Sequence, residues 1–160
     1  MMLLGTQRVN AQGHLEIGGV DTVRLAEEFG TPLYVMDEAA LRKNCRDYLS
    51  AFRARYPEVE VSFAGKAFLC TATARWAAEE GLSLDVCTGG ELAVAERAGF
   101  DMARVGFHGN NKSVAELERA VELGVGRIVL DSFEEIERLA EVSSRLGRTT
   151  RVMVRVTAGV

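Results

Sequence analysis

Lys66 is the only charged residue of VSFAGKAFLC (61–70), and small or apolar side chains frame it on both sides. A solvated surface lysine needs no such frame, whereas a lysine that must react does. An amine attacks a carbonyl only when neutral, and its unperturbed pKa is ~10.4. Apolar walls lower that value because they disfavour the ammonium. Such a lysine can form a Schiff base, either with a carbonyl substrate, as in an aldolase, or with pyridoxal phosphate. The residues alone leave both uses open.

Other ionisable groups follow short apolar runs in the same way. Asp85 comes late in LSLDVC, His108 late in RVGFHG, Asp131 ends RIVLD and Arg155 lies late in RVMVRV. In α/β folds the chemistry gathers at the carboxyl ends of the strands. These groups and Lys66 can therefore converge on one mouth. Polarity also resumes wherever a strand ends, with no chemistry involved. Against that bland explanation, Lys66 and Asp85 are each followed by further apolar or small residues. Asp85 is the carboxylate placed to orient the amine and take part in proton traffic. The expectation is an amine held in dry surroundings at the strand tips.

The elements that must position these groups alternate regularly. Strand-length apolar runs occur at VSFAGKA (61–67), LSLDVC (82–87), RVGFHG (104–109), RIVLD (127–131) and RVMVRV (151–156). Between them lie helical patterns, TATARWAAEEG, GELAVAERAG, LERAVELG and IERLAEVSSRLG. The last two open with capping boxes, Ser113-x-x-Glu116 and Ser132-x-x-Glu135. Gly124 and Gly147 stand where a left-handed C′ residue is wanted. No hairpin-length turn joins the strands, so they should be parallel with crossover helices. The rhythm fits a (β/α)8 barrel or an open doubly wound sheet. No G-x-G-x-x-G follows a strand, which counts against a dinucleotide-binding open sheet.

The beginning of the chain is different. GHLEIGG (13–19) alternates in polarity and reads as a strand of a separate, β-type region. Asp21 begins a helix, DTVRLAEEFG, stopped by Gly30 and Pro32. PLYVMD (32–37) reads as a further strand, and Asp37 caps a long helix, EAALRKNCRDYLSAFRARY, ended by Pro57. The chain stops at RVTAGV, after the fifth strand of the rhythm. A barrel needs eight strands to close, and unpaired sheet edges are avoided. The expectation is a piece of a longer protein.

Bulk properties exclude some function classes. The net charge of −4 and a pI near 5.3 argue against a general nucleic-acid binder. No run approaches the ~20 apolar residues of a membrane span. The first residues lack a signal-peptide pattern, so the expected location is cytoplasmic. The three cysteines, Cys45, Cys70 and Cys87, include no C-x-x-C pair. They read as small hydrophobes, neither a disulfide framework nor a metal site.

Together, "GTPLYVMDEAALRKNCRDY", "SFAGKAFLC", "LDVCTGGEL", "GFHGNNKS" and "RVTAGV" resemble the diaminopimelate decarboxylases. These belong to the fold-type III, alanine-racemase-like pyridoxal-phosphate decarboxylases. The resemblance runs from GHLEIGGVD to the end. It implies that residues 1–32 contribute to a β domain and that 33–160 form an incomplete (β/α)8 barrel, about five of eight units. It further implies a homodimer whose active sites are completed by the partner. The cofactor would be pyridoxal 5′-phosphate and the substrate a small molecule of the amino-acid class. The full-length activity would be decarboxylation of meso-2,6-diaminopimelate to L-lysine and CO2 in lysine biosynthesis, with the 160-residue chain alone inactive.

Residue by residue, Lys66 matches the lysine that holds the cofactor as a Schiff base. Asp85 matches a carboxylate near that lysine, and Glu91 a second acidic pocket position. Arg155 matches an arginine supporting the cofactor's phenolic side. His108, in the HGN motif, matches a cofactor- or substrate-facing position. Two residues depart from the family pattern: Phe63, where relatives usually have Tyr, and Ala158 in "RVTAGV". The ring-stacking histidine, the phosphate cradle, the acid at the pyridine nitrogen and the partner-donated cysteine find no match in this chain. Alternative readings are a decarboxylase of another basic amino acid, a cofactor-free aldolase and a non-catalytic fragment.

Overall fold

The computed structural model describes residues 3–156 and 159. The chain divides into two compact units, Met1–Pro57 and Glu58–Val160.

In the first unit, strands β1 (Arg8–Val9), β2 (Leu15–Ile17) and β3 (Val20–Asp21) form an antiparallel sheet in that order. GHLEIGG thus supplies the central strand. Asp21 ends β3 and caps helix α1 (Thr22–Phe29), its carboxylate accepting from the Val23 amide at 2.8 Å. Asp37 caps helix α2 (Glu38–Arg53) by accepting from Ala40 N, and also accepts from the Thr6 hydroxyl at 2.6 Å. The helix ends at Arg53, short of Pro57.

One expected element is not a strand. Residues 32–37 run on after a cis Thr31–Pro32 bond, with no ladder partner among the described residues. Leu33, Tyr34, Val35 and Met36 are all exposed. Apolar composition alone does not make a strand, because its amides and carbonyls need a neighbouring strand to bond.

The second unit is a five-stranded parallel sheet. Its strands are β4 (Ser62–Ala64), β5 (Ser83–Val86), β6 (Val105–Phe107), β7 (Arg127–Leu130) and β8 (Val152–Val154). Their spatial order is their chain order, with no reversal of the kind that marks a doubly wound sheet. Helices α3 (Thr71–Glu79), α4 (Gly89–Ala98), α5 (Val114–Leu123) and α6 (Phe133–Leu146) make the connections.

Side chains alternate across the sheet. Leu84, Val86, Val105, Phe107, Ile128 and Leu130 are buried on one face. The helices contribute Ala74, Ala77, Leu92, Ala95, Leu117, Ala120, Leu139 and Val142 to the buried core. The opposite face carries Ala64, Asp85, Gly106, Arg127, Val129 and Met153, laterally paired as Ala64↔Asp85↔Gly106↔Arg127 and Val129↔Met153. Hydrophobic burial therefore fixes which residues are left facing the other way.

Helix ends follow the sequence closely. Gly124 and Gly147 are left-handed C-caps. Ser113 and Glu116 form the full reciprocal box. Ser132 accepts from Glu135 N, but the Glu135 carboxylate does not return to Ser132. It bonds the Asp131 amide at 2.9 Å and the Lys112 ammonium at 2.9 Å instead. A buried cation outcompetes the local cap.

Candidate active site

A cleft of about 700 Å³ opens at the carboxyl ends of the five strands. Its lining follows the two-residue period of a strand. Ala64 and Lys66, Asp85 and Cys87, Val129 and Asp131, and Met153 and Arg155 each sit two apart, joined by His108, Gly109 and Asn110. Four of the five expected site residues thus meet there: Lys66, Asp85, His108 and Arg155. The size suits a small organic ligand.

Lys66 lies in a short 3₁₀ turn, Gly65–Ala67, immediately after β4, and not within the strand. Gly65 makes the turn possible. A Cβ there would stand 2.6 Å from the Asp85 carbonyl oxygen and 3.3 Å from Leu69 Cδ2. The absent side chain lets the turn press against the backbone of Asp85 in β5, and Lys66 and Asp85 line the same cleft. The expected dryness is not found. Lys66 is exposed, as are Ala64 and Ala67 beside it, because small side chains cannot screen an amine. Among the described residues, the Lys66 ammonium makes no hydrogen bond or ion pair.

Asp85 Oδ1 lies 3.5 Å from His108 Nε2, both side chains partly exposed. Gly106 lies next to Asp85 in the neighbouring strand, and a Cβ there would come within 2.9 Å of Asp85 Oδ1. Arg155 Nη1 is 3.3 Å from Asp131 Oδ1, so the guanidinium is held at the cleft rim by a carboxylate from the adjacent strand end. Cys87 has the sequence setting of a small buried hydrophobe, yet it lines the cleft. Its burial, then the Glu91 carboxylate, push its thiol pKa up, so it stays protonated.

Glu91 is not among the lining residues. Its carboxylate turns back to accept from the Cys87 amide at 2.7 Å and the Thr88 hydroxyl at 3.1 Å. It holds the loop between β5 and α4. Glu116 acts similarly, accepting from Ser113 N at 2.8 Å and from Gly89 N at 2.6 Å. Those amides, Ser113 first, hold its carboxyl below the usual range. Phe63 is in β4, and Ala158 lies outside the described residues.

Two residues that the sequence did not mark complete the surroundings. Asn110 lines the cleft, and Lys112 is fully buried behind it. Alternation from Asp85 would have reached Cys87. Nothing in GNNKS signals a buried lysine. Among the described residues, no cluster of His, Cys, Asp and Glu could hold a metal ion and no helix is long and apolar enough to cross a membrane.

The donor set fits part of pyridoxal phosphate. A free primary amine suits its aldehyde, and the Arg155 guanidinium suits an anionic oxygen on the ring. Asp85 and His108 can hold and pass a proton beside the amine.

Comparison with known proteins agrees with that chemistry. The family model "Pyridoxal-dependent decarboxylase, pyridoxal binding domain" matches residues 39–160. The chain is 50% identical over 160 residues to diaminopimelate decarboxylase of Halalkalibacterium halodurans, covering all of this chain and 36% of that protein. It is 53% identical over 144 residues to the Mycobacterium tuberculosis enzyme of the same name, covering 90% of this chain and 32% of that one. The crystal structure of diaminopimelate decarboxylase from M. jannaschii in complex with L-lysine superposes with a TM-score of 0.83 at 30% identity. That match covers 94% of this chain and 35% of the other. The chain thus spans about a third of the length of the relatives it matches. Its chemistry and its relatives agree, and the chain belongs to the pyridoxal-dependent decarboxylases, as a part of their pyridoxal binding domain.

Proposed function

We propose that the full-length protein converts meso-diaminopimelate to L-lysine and CO2, and that this chain supplies the lysine side of its active site. The observation that carries this reading is the placement of an unbonded Lys66 amine in one cleft with Asp85, His108 and Arg155. The 50% identity to a named diaminopimelate decarboxylase supports the substrate, as does the L-lysine bound by a relative of the same fold.

In this reading Lys66 is the residue that would hold the cofactor, through its amine. Bound pyridoxal phosphate supplies the electron sink that lets the bond to the α-carboxylate break. Asp85 orients the amine and exchanges protons with it, with His108 as the second member of the pair. Arg155, held by Asp131, would support the phenolic side of the cofactor. CO2 leaves and a proton replaces it on the same carbon. Glu91 keeps the loop after β5 in place and does not touch the ligands. The five strands belong to a (β/α)8 barrel, and residues 1–32 to a β domain shared with later parts of the chain. The protein works as a cytoplasmic homodimer.

The test is a substrate panel on the full-length protein. Lysine and CO2 should form from meso-diaminopimelate, at least a hundredfold faster in kcat/KM than the products of ornithine or arginine. Preference for either of those, or no decarboxylation at all, overturns the reading.

A further inference from the structure

Lys112 has 1% of its side chain exposed, and its partner Glu135 has 5%. A lysine ammonium has three donors, and the structure gives this one three acceptors. They are the Gly109 carbonyl at 2.6 Å, the Val129 carbonyl at 2.8 Å and Glu135 Oε1 at 2.9 Å. The ammonium also lies 5.7 Å from the centroid of the buried Phe107 ring.

Two of these acceptors belong to residues of the cleft wall. Gly109 and Val129 both line the cleft, and Gly109 is flanked by His108 and Asn110, which line it too. The other oxygen of Glu135 accepts from the Asp131 amide, and Asp131 holds Arg155. The ammonium therefore joins the backbone behind His108 and Asn110 to the backbone behind Asp131. The loop it holds passes close over β5, since a Cβ on Gly109 would stand 2.7 Å from the Cys87 carbonyl.

Burying two charges is costly, and an apolar pair of equal volume often packs as well or better. An apolar pair could not hold two carbonyls in fixed directions. We propose that Lys112 is a positioning residue: its caged ammonium fixes the loop that presents His108 and Asn110 to the cofactor and substrate. The proposal rests on the decarboxylase reading above.

The test compares Lys112→Met and Glu135→Gln in full-length protein, each in the wild-type and in a His108→Ala/Asn110→Ala background. In the wild-type background Lys112→Met should lower kcat/KM at least tenfold, chiefly in kcat, and raise the cofactor dissociation constant, read by fluorescence, by a similar factor. In the double-alanine background the same change should cost less than twofold, because the groups it positions are gone. Glu135→Gln keeps volume and an acceptor for Lys112, and should show the same pattern on a smaller scale. It carries the comparison if Lys112→Met does not fold. Hydrogen exchange should quicken in segment 108–112 and stay unchanged in β4 and β5. Equal losses in both backgrounds, or unchanged exchange in 108–112, overturn the proposal. If the wild-type protein leaves diaminopimelate intact, the decarboxylase reading fails, while exchange and cofactor affinity still decide the role of Lys112.

Discussion

Asp85 and Gly106 are lateral partners in β5 and β6, and the missing side chain of Gly106 is what leaves room for the Asp85 carboxylate. From that place the carboxylate reaches the His108 ring, 3.5 Å away, while the backbone carbonyl of the same residue packs against the turn that carries Lys66. One glycine in the middle of the sheet thus decides where the acid stands at the cleft.

Gly106→Ala should therefore disturb the cleft without breaking the sheet. Its Cβ would meet Asp85 Oδ1 at 2.9 Å, closer than a normal contact. The carboxylate is the far end of a flexible, partly exposed side chain and can swing away, so the fold loses little. Urea unfolding should stay close to that of the wild type, whereas decarboxylation by the full-length variant should fall more than tenfold as Asp85 is displaced. Unchanged kinetics would mean that the position of Asp85 is immaterial.

Removing one member of a buried ion pair leaves the other charged and unpaired. Glu135→Ala should therefore destabilise the protein by about 3–5 kcal/mol. It should cost more than Glu116→Ala, which removes amide acceptors worth about 1–2 kcal/mol. Paired chemical denaturation curves give both numbers, and the reverse order would contradict the burial of the Lys112–Glu135 pair.

Much of this arrangement was legible in the residues. Lys66 stood out because nothing near it was charged, and the strand ends could be aligned because an ionisable residue comes at or near the end of each apolar run. Two-residue alternation from Lys66, Asp85, Asp131 and Arg155 reaches Ala64, Cys87, Val129 and Met153, the rest of the strand-borne lining. What could not be read depends on partners distant in sequence. Lys112 is surrounded by polar neighbours and looks like a surface lysine until Glu135 is seen to cover it. Glu91 looks the same at the start of a helix whether it faces a ligand or turns back to Cys87 N. Residues 32–37 have strand composition, but pairing is a property of neighbours and not of composition.

The first unit should be sensitive to acid. Partial burial pushes the Asp21 carboxyl up, but hydrogen bonds from His14, Asn10 and the Val23 amide outweigh it and hold the pKa at about 2. The Thr6 hydroxyl, then the Ala40 amide, lower that of Asp37. A depressed carboxylate stabilises the folded state fully above its unfolded pKa, ~3.9. That contribution is lost as pH falls through the folded value. Protection against hydrogen exchange in residues 14–23, taken relative to the intrinsic rate at each pH, should hold down to about pH 4 and fall towards pH 2. Asp21→Asn should flatten this dependence; an identical profile in the variant would remove Asp21 as its source.

The most direct measurement is borohydride reduction of the protein mixed with pyridoxal phosphate, followed by peptide mass mapping. The account predicts a single phosphopyridoxyl group, attached to Lys66. Modification confined to other lysines such as Lys43, or none at all, would contradict it.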